Sequence, residues 1–267
     1  MVPGTGCSVV GNLLIERFGG EWLPEETIRR NGHVVVQRKH NSLDDILNHG
    51  LLSRNEVKDY LVCATIRNPF DRWVTYYQRY VGEWIDSYHG YVTRRLSRLE
   101  SKVDFDRSRL EIEKKAHELE MERHRKRRQI IRAMGFNPWM TGTLIRWYWA
   151  GRKAGYDEPL LPYAFPMLTG VDVAMRQEQL EESLNHVLRM VGIQSRVQLP
   201  RKNITEGKKH YTEYWSAPTR YLGEKMLGTL PQRFGYRFEG VSSTNPVVEL
   251  NEVPIGKAVP ASLGSDL

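Results

Sequence analysis

The chain has 267 residues, 40% of them hydrophobic and 27% charged, with a formal net charge of +7. That length supports a sizeable core in one domain with insertions. The composition excludes a disordered or fibrous chain, no run approaches the roughly 18 apolar residues of a membrane span, and the positive balance points to anionic ligands.

The first residues lack the basic and apolar regions of a signal peptide. Cys7 and Cys63 offer neither a disulfide framework nor metal-ligand spacing, so a cytoplasmic location is expected. Pro3-Gly4-Thr5-Gly6-Cys7-Ser8 is a glycine-bearing turn that runs into an amphipathic pattern from Val9 to Phe18. A turn entering a helix N-terminus presents backbone N–H groups to an anion. Gly32 to Gln37, with β-branched residues after a glycine, reads as a short buried strand. Arg38, Lys39 and His40 follow, and Ser42 starts a helix with Asp45 at the capping-box position. His40 thus falls just past a strand end, where α/β sheets place their chemistry. The ordinary titration range of histidine suits a general base. A solvated or phosphate-binding histidine is the alternative.

Tyr60 to Ile66 reads as a buried strand ending on Arg67. Asn68-Pro69 breaks it, because proline lacks an amide donor and fixes φ. A helix is predicted from there, with Asn68 as N-cap, Pro69 in the first turn and Thr75 two turns in. A fixed guanidinium beside a hydroxyl makes a phosphate clamp. Between Asp106 and Arg132, 16 of 27 residues are charged, acidic early and basic late, in the order that suits a helix dipole. This reads as a long solvated helix, with recognition of an acidic acceptor or partner as the alternative. Val171 to Glu181 reads as a strand entering a helix that stops at Gly192, with Arg176 and Glu178 expected to pair. A basic loop, Leu199 to Tyr211, follows. Beyond Gly240 the chain is small, polar and proline-punctuated, so 241–267 is expected to be a loose tail.

Arg-Asn-Pro-x-x-Arg-x-x-Thr at 67–75 resembles the 3′-phosphate-binding element of sulfotransferases that use 3′-phosphoadenosine 5′-phosphosulfate (PAPS). Four further segments resemble that family in the same order. They are the loop at 3–8, Arg176-x-Glu178-x-Leu180 with its Val191-Gly192-Ile193 stop, Leu199-Pro200-x-x-Asn203, and Phe234-Gly235-Tyr236-x-Phe238. The resemblance spans about Pro3 to Phe238. It implies a three-layer α/β domain over 1–240 with a mainly parallel central sheet, like P-loop kinases, and a charged helical insertion at about 95–135. It also implies sulfuryl transfer from PAPS to a hydroxyl or amine of an unidentified acceptor, a small molecule or a carbohydrate, leaving 3′-phosphoadenosine 5′-phosphate (PAP).

In the family, Gly4, Thr5, Gly6, Cys7 and Ser8 would hold the 5′-phosphosulfate and Arg67 with Thr75 the 3′-phosphate. Arg201 and Lys202, with Lys208 and Lys209, would fold over the adenosine end. His40 beside Lys39 resembles the base of carbohydrate-type sulfotransferases, with Glu83 in reserve. Gly4 stands where the family carries a lysine that neutralises the leaving group. Lys39, Arg38 or a residue of the C-terminal loop could replace it; otherwise the chain binds nucleotide without turnover. Only Met1 and Val2 precede the loop, as in a chain whose start lies further upstream. No Gly-x-x-x-x-Gly-Lys-(Ser/Thr) is present, which argues against ATP or GTP hydrolysis. No motif calls for a metal, and a basic nucleic-acid-binding module is the remaining, less favoured reading.

Overall fold

The computed structural model describes residues 2–30, 33–82, 84–100, 107–200 and 208–250. The first helix, α1 (Cys7–Phe18), starts on Gly6, whose φ of 80° is left-handed. Two short strands, β1 (Ile28–Arg30) and β2 (His33–Val36), pair antiparallel in a sheet of their own. The short helices α2 (Leu43–Asn48) and α3 (Arg54–Val57) come next. Ser42 and Asp45 close the expected capping box, with Asp45 N donating to Ser42 Oγ at 3.1 Å and Ser42 N to Asp45 Oδ2 at 2.8 Å.

The strand β3 (Cys63–Ile66) feeds α4 (Pro69–Val81). Asn68 caps α4 through its side chain, which accepts from Phe70 N at 3.1 Å, and Pro69 occupies the first turn. A second long stretch runs α5 (Trp84–Glu100), α6 (Arg107–Met134), α7 (Phe136–Lys153) and the short α8 (Leu161–Ala164). Then β4 (Val173–Arg176) enters a 3₁₀ turn (Gln177–Gln179) and α9 (Leu180–Met190). A second 3₁₀ turn (Tyr211–Glu213), α10 (Ala217–Leu227), α11 (Leu230–Arg233), β5 (Tyr236–Arg237), β6 (Gly240–Val241) and β7 (Val247–Glu249) complete the described chain.

The central sheet runs β3-β4-β7, with β3 and β4 parallel and β4 and β7 antiparallel. Side chains alternate across a strand, and β4 uses both faces. Ala174 joins one core with Ile66, Trp73, Leu144 and Phe234. Val173 and Met175 join another with Val10, Leu13, Leu184 and Leu188. Helices α4 and α7 therefore cover one face of the sheet, and α1 and α9 the other. In the first core the Phe70 ring packs edge-on against Trp215 at 5.1 Å and Phe238 at 5.0 Å. Such pairs add about 0.5–1.5 kcal/mol each beyond simple burial.

Several expectations change. The fold is a mixed helix–strand one, but the described central sheet has one parallel and one antiparallel pairing rather than a mainly parallel order. The strand expected over 32–37 is found as β2 (His33–Val36), paired among the described residues only with β1 and half in, half out: Val36 is 1% exposed and Val34 42%, while Gly32 lies outside the described residues. β-branched runs suit any half-covered pleated surface, so they do not say which sheet a strand joins. The supposed tail begins with β6 and β7, and Val247 is buried against the second core; residues 251–267 lie outside the described residues. Helices α5 and α6 pair lengthwise, Lys114 meeting Glu100 at 2.8 Å and Arg128 meeting Asp86 at 2.6 Å. Within α6, Glu122 and Lys126 pair at 2.7 Å one turn apart, and Glu111 lies 3.9 Å from Lys114. The far end of α6 is not merely solvated. Ile131 enters the first core, and Arg128 and Arg132 both donate to Val81 O at the end of α4. Among the described residues no helix is long and apolar enough to cross a membrane.

Candidate active site

The site grows from two chain turns that meet. The loop before α1 takes left-handed φ at Gly4 (79°) and Gly6 (80°), which β-carbons disfavour by about 1–2 kcal/mol. A Cβ on Gly6 would also sit 2.7 Å from Leu180 Cδ2, so the loop lies tight on the start of α9. Thr5 is buried with its hydroxyl turned inward, donating to Val2 O at 2.7 Å and sharing a 2.5 Å contact with Thr65 on β3. Cys7 is buried too, and burial pushes its thiol up, with a smaller downward pull from Lys39. Ser8 is half-buried. Thr5 thus anchors the loop. What the loop offers a ligand is its backbone, since the first amides of a helix have no intrahelical acceptor.

Opposite stands Arg67, at the carboxyl end of β3. Its Nη1 donates to Gly4 O at 3.1 Å and its Nε to Asp71 Oδ2 at 2.7 Å. Asp71 also takes Lys208, whose Nζ donates at 3.0 Å to Thr75 Oγ1. Thr75 is buried and spends its own hydrogen on Asp71 O at 3.0 Å. Arg67 and Thr75 are therefore joined through Asp71 and Lys208, and Thr75 serves as an acceptor that positions the lysine. Burial lowers the Lys208 pKa, as does the like charge of Arg67 and, less, of Arg79, while Asp71 opposes them. Arg79, one turn beyond Thr75 on α4, directs Nη1 to within 3.8 Å of where a Gly4 Cβ would sit. Arg67 and Arg79 thus stand beside the loop, and Lys208 joins Arg67 through Asp71, so three cations meet one carboxylate, a charge balance that favours an anion.

The remaining residues frame this cluster. Arg72 turns the other way and is buried, with Nη1 donating to Tyr163 O and Nη2 to Tyr76 OH, both at 2.5 Å. Arg176 and Glu178 do not bond to each other as expected. The Arg176 guanidinium donates to Phe234 O, Asn245 O and Val247 O. The Glu178 residue is exposed overall, but its carboxylate turns inward to accept from Asn68 N at 2.8 Å and Tyr236 OH at 2.7 Å. Burial there raises its pKa. These bonds tie the start of α4 to β5.

Lys39 and His40 occupy the bend between β2 and α2, both half-buried. The Lys39 ammonium lies 5.8 Å from the Trp22 ring centroid, and Arg38 stacks on the same ring at 5.4 Å. Arg201, Lys202 and Glu83 lie outside the described residues. Among the described residues no group of His, Cys, Asp and Glu is arranged to hold a metal ion.

Sequence reasoning missed Asp71 and Arg79. Their signal was present, since 71, 75 and 79 share one helix face at i, i+4 and i+8. A sequence model described as the sulfotransferase family matches residues 1–230. No curated protein and no solved structure matches the chain.

Proposed function

Because this chain belongs to the sulfotransferase family, we propose that it moves a sulfuryl group from PAPS to a hydroxyl or amine of an acceptor, leaving PAP. The supporting observation is the cluster in which Arg67 bridges Gly4 O and Asp71 while Lys208 sits on Thr75. Its cations face a loop whose backbone amides suit a phosphosulfate. In this reading the loop 4–8 takes the 5′ end of the donor. Arg67 and Lys208 take the 3′-phosphate, with Thr75 holding Lys208 in place. Arg201 and Lys202 remain proposed contacts for the adenosine end.

The reaction is an in-line displacement. The acceptor oxygen or nitrogen forms a bond to sulfur, the bond from sulfur to the 5′-phosphate oxygen breaks, and that oxygen keeps the electron pair. The acceptor's proton goes to His40, with Lys39 alongside. Such transfer depends on positioning and charge stabilisation more than on covalent catalysis. A carbohydrate is the acceptor class that the Lys39-His40 arrangement favours. The cytoplasm is the proposed location.

A second reading has its own observation. Gly4 carries no cation and its left-handed φ disfavours one, which suits a protein that binds PAP without turnover. Calorimetry with PAP and AMP tests the shared premise: PAP binds more tightly, and equal affinities refute the donor assignment. Turnover separates the two readings. His40→Ala is expected to lower the rate by about 10²–10⁴ with PAP affinity unchanged. A wild-type rate in that variant removes His40 from the mechanism.

A further inference from the structure

The donor reading leaves a chemical gap, since no side chain of the loop itself can neutralise the leaving oxygen. We infer that Arg79 of α4 supplies that cation, contacting the 5′-phosphosulfate beside Gly4. This rests on the proposal that PAPS is the donor, and it adds a residue that neither the loop nor the 3′-phosphate motif contains.

The argument begins with helix geometry. Asp71, Thr75 and Arg79 form one ridge of α4. The first two are committed to Arg67 and Lys208. The third reaches past them to the loop. Its Nη1 lies 3.8 Å from the point where a β-carbon on Gly4 would project. That atom therefore borders the space through which a side chain at position 4 would leave the backbone. The loop conformation supports the same division of labour. At a φ of 79°, a lysine at position 4 would be strained by about 1–2 kcal/mol. Glycine in the loop and arginine on the helix form a complementary pair: the loop keeps its tight turn and the helix delivers the charge.

Two guanidiniums thus flank Gly4, Arg67 on its carbonyl and Arg79 on the side its β-carbon would face. Burial and the neighbouring Arg67 charge both lower the Arg79 pKa, with smaller opposing pulls from Tyr76 and Cys7. A guanidinium is so strong a base that the shift leaves it protonated at neutral pH. The crowding of like charge is relieved when an anion enters. A guanidinium also offers paired donors to neighbouring oxygens of one phosphosulfate. As the bond from sulfur to the bridging oxygen breaks, the electron pair remains on the 5′-phosphate of PAP, where Arg79 would meet it.

The test compares two ligands that differ only at the 5′ end, PAP and adenosine 3′-phosphate. Calorimetry is run on the wild type and on Arg79→Ala, Arg79→Gln and Arg79→Lys. Loss of a charged hydrogen bond predicts PAP binding weakened about 10- to 100-fold in the Ala and Gln variants. Affinity for adenosine 3′-phosphate should stay within about twofold, and Arg79→Lys should recover part of the loss. Gln guards against a folding defect in Ala, and melting curves monitor both. Equal losses for the two ligands, or none for PAP, overturn the role of Arg79 while leaving the donor reading intact. A wild type that prefers neither PAP nor adenosine 3′-phosphate over adenosine removes the donor reading, and this inference with it.

Discussion

Lys208→Met separates the two ends of the donor from the opposite side. Lys208 Nζ bonds to Asp71 and Thr75, and its side chain is 11% exposed. Removing it leaves Asp71 paired with Arg67, so no carboxylate is stranded. The loss of its bonds is offset by relief of its burial and of its repulsion from Arg67 and Arg79. Stability should therefore change by no more than about 1 kcal/mol, or roughly 2–4 °C in melting temperature for a chain near this size. Binding should change far more. One charged hydrogen bond to the 3′-phosphate corresponds to about 1.5–3 kcal/mol, which is about 10- to 150-fold in affinity. AMP has no 3′-phosphate, so its affinity should stay put and the preference for PAP should collapse. Calorimetry with PAP and AMP, beside a melting curve, reads both effects. A folded Lys208→Met protein that keeps the wild-type PAP preference would refute the assignment of Lys208 to the 3′-phosphate.

The glycine of Phe234-Gly235-Tyr236 has a φ of 72°, and a Cβ there would meet Arg176 Nη2 at 2.3 Å. Gly235→Ala should cost at least about 3 kcal/mol through backbone strain and displaced charged hydrogen bonds. Gly192→Ala, at a φ of 85° with open space around it, should cost only about 1 kcal/mol. Equal melting shifts in the two variants would rule out the Arg176 contact as the cause. The α5–α6 pair should weaken in acid. His89 Nε2 lies 3.1 Å from His124 Nδ1, and its ring centroid lies 5.2 Å from that of His117. Tyr80 of α4 packs on His124. Burial first, then His124 and His117, hold the His89 pKa below the ordinary histidine value, with Glu120 and Asp86 opposing. The unfolded chain therefore binds the extra proton first, and stability falls as pH drops through about 6.5. Urea unfolding followed by circular dichroism should show that fall, and His89→Gln should flatten it. An unchanged slope in the variant would contradict the His89 contribution.

Much of the candidate site was legible in the sequence because it rests on local rules. Asn68-Pro69 specifies where α4 starts whatever surrounds it, since a cap and a proline act within one turn. That fixes Arg67 at a strand end and sets Thr75 two turns into the helix. Ser42 with Asp45, and the left-handed glycines at 4, 6 and 192, follow from equally local chemistry. Distance along the chain marks where legibility ended. Lys208 meets Thr75 across 133 residues, and Asn68 N meets Glu178 across 110. Charge complementarity made several partners acceptable, and only the packed chain selected among them. The partners assumed to be nearest in sequence, Arg176 and Glu178, went separate ways, because Arg176 ends β4 while Glu178 lies in the 3₁₀ turn that follows, where the chain leaves the strand's period-2 alternation. The same holds for β2 and β7. Their residues suit a pleated surface, yet backbone hydrogen bonding carries no residue identity, so sheet order and direction arose from how the helices cover the two faces. Thr5 and Arg79 show the point within the site itself. A loop threonine expected to face the ligand turned into the core, where burial satisfied its hydroxyl. Arg79, three turns into α4, came to lie beside Gly4 because the packing of α4 against the loop brings its guanidinium there.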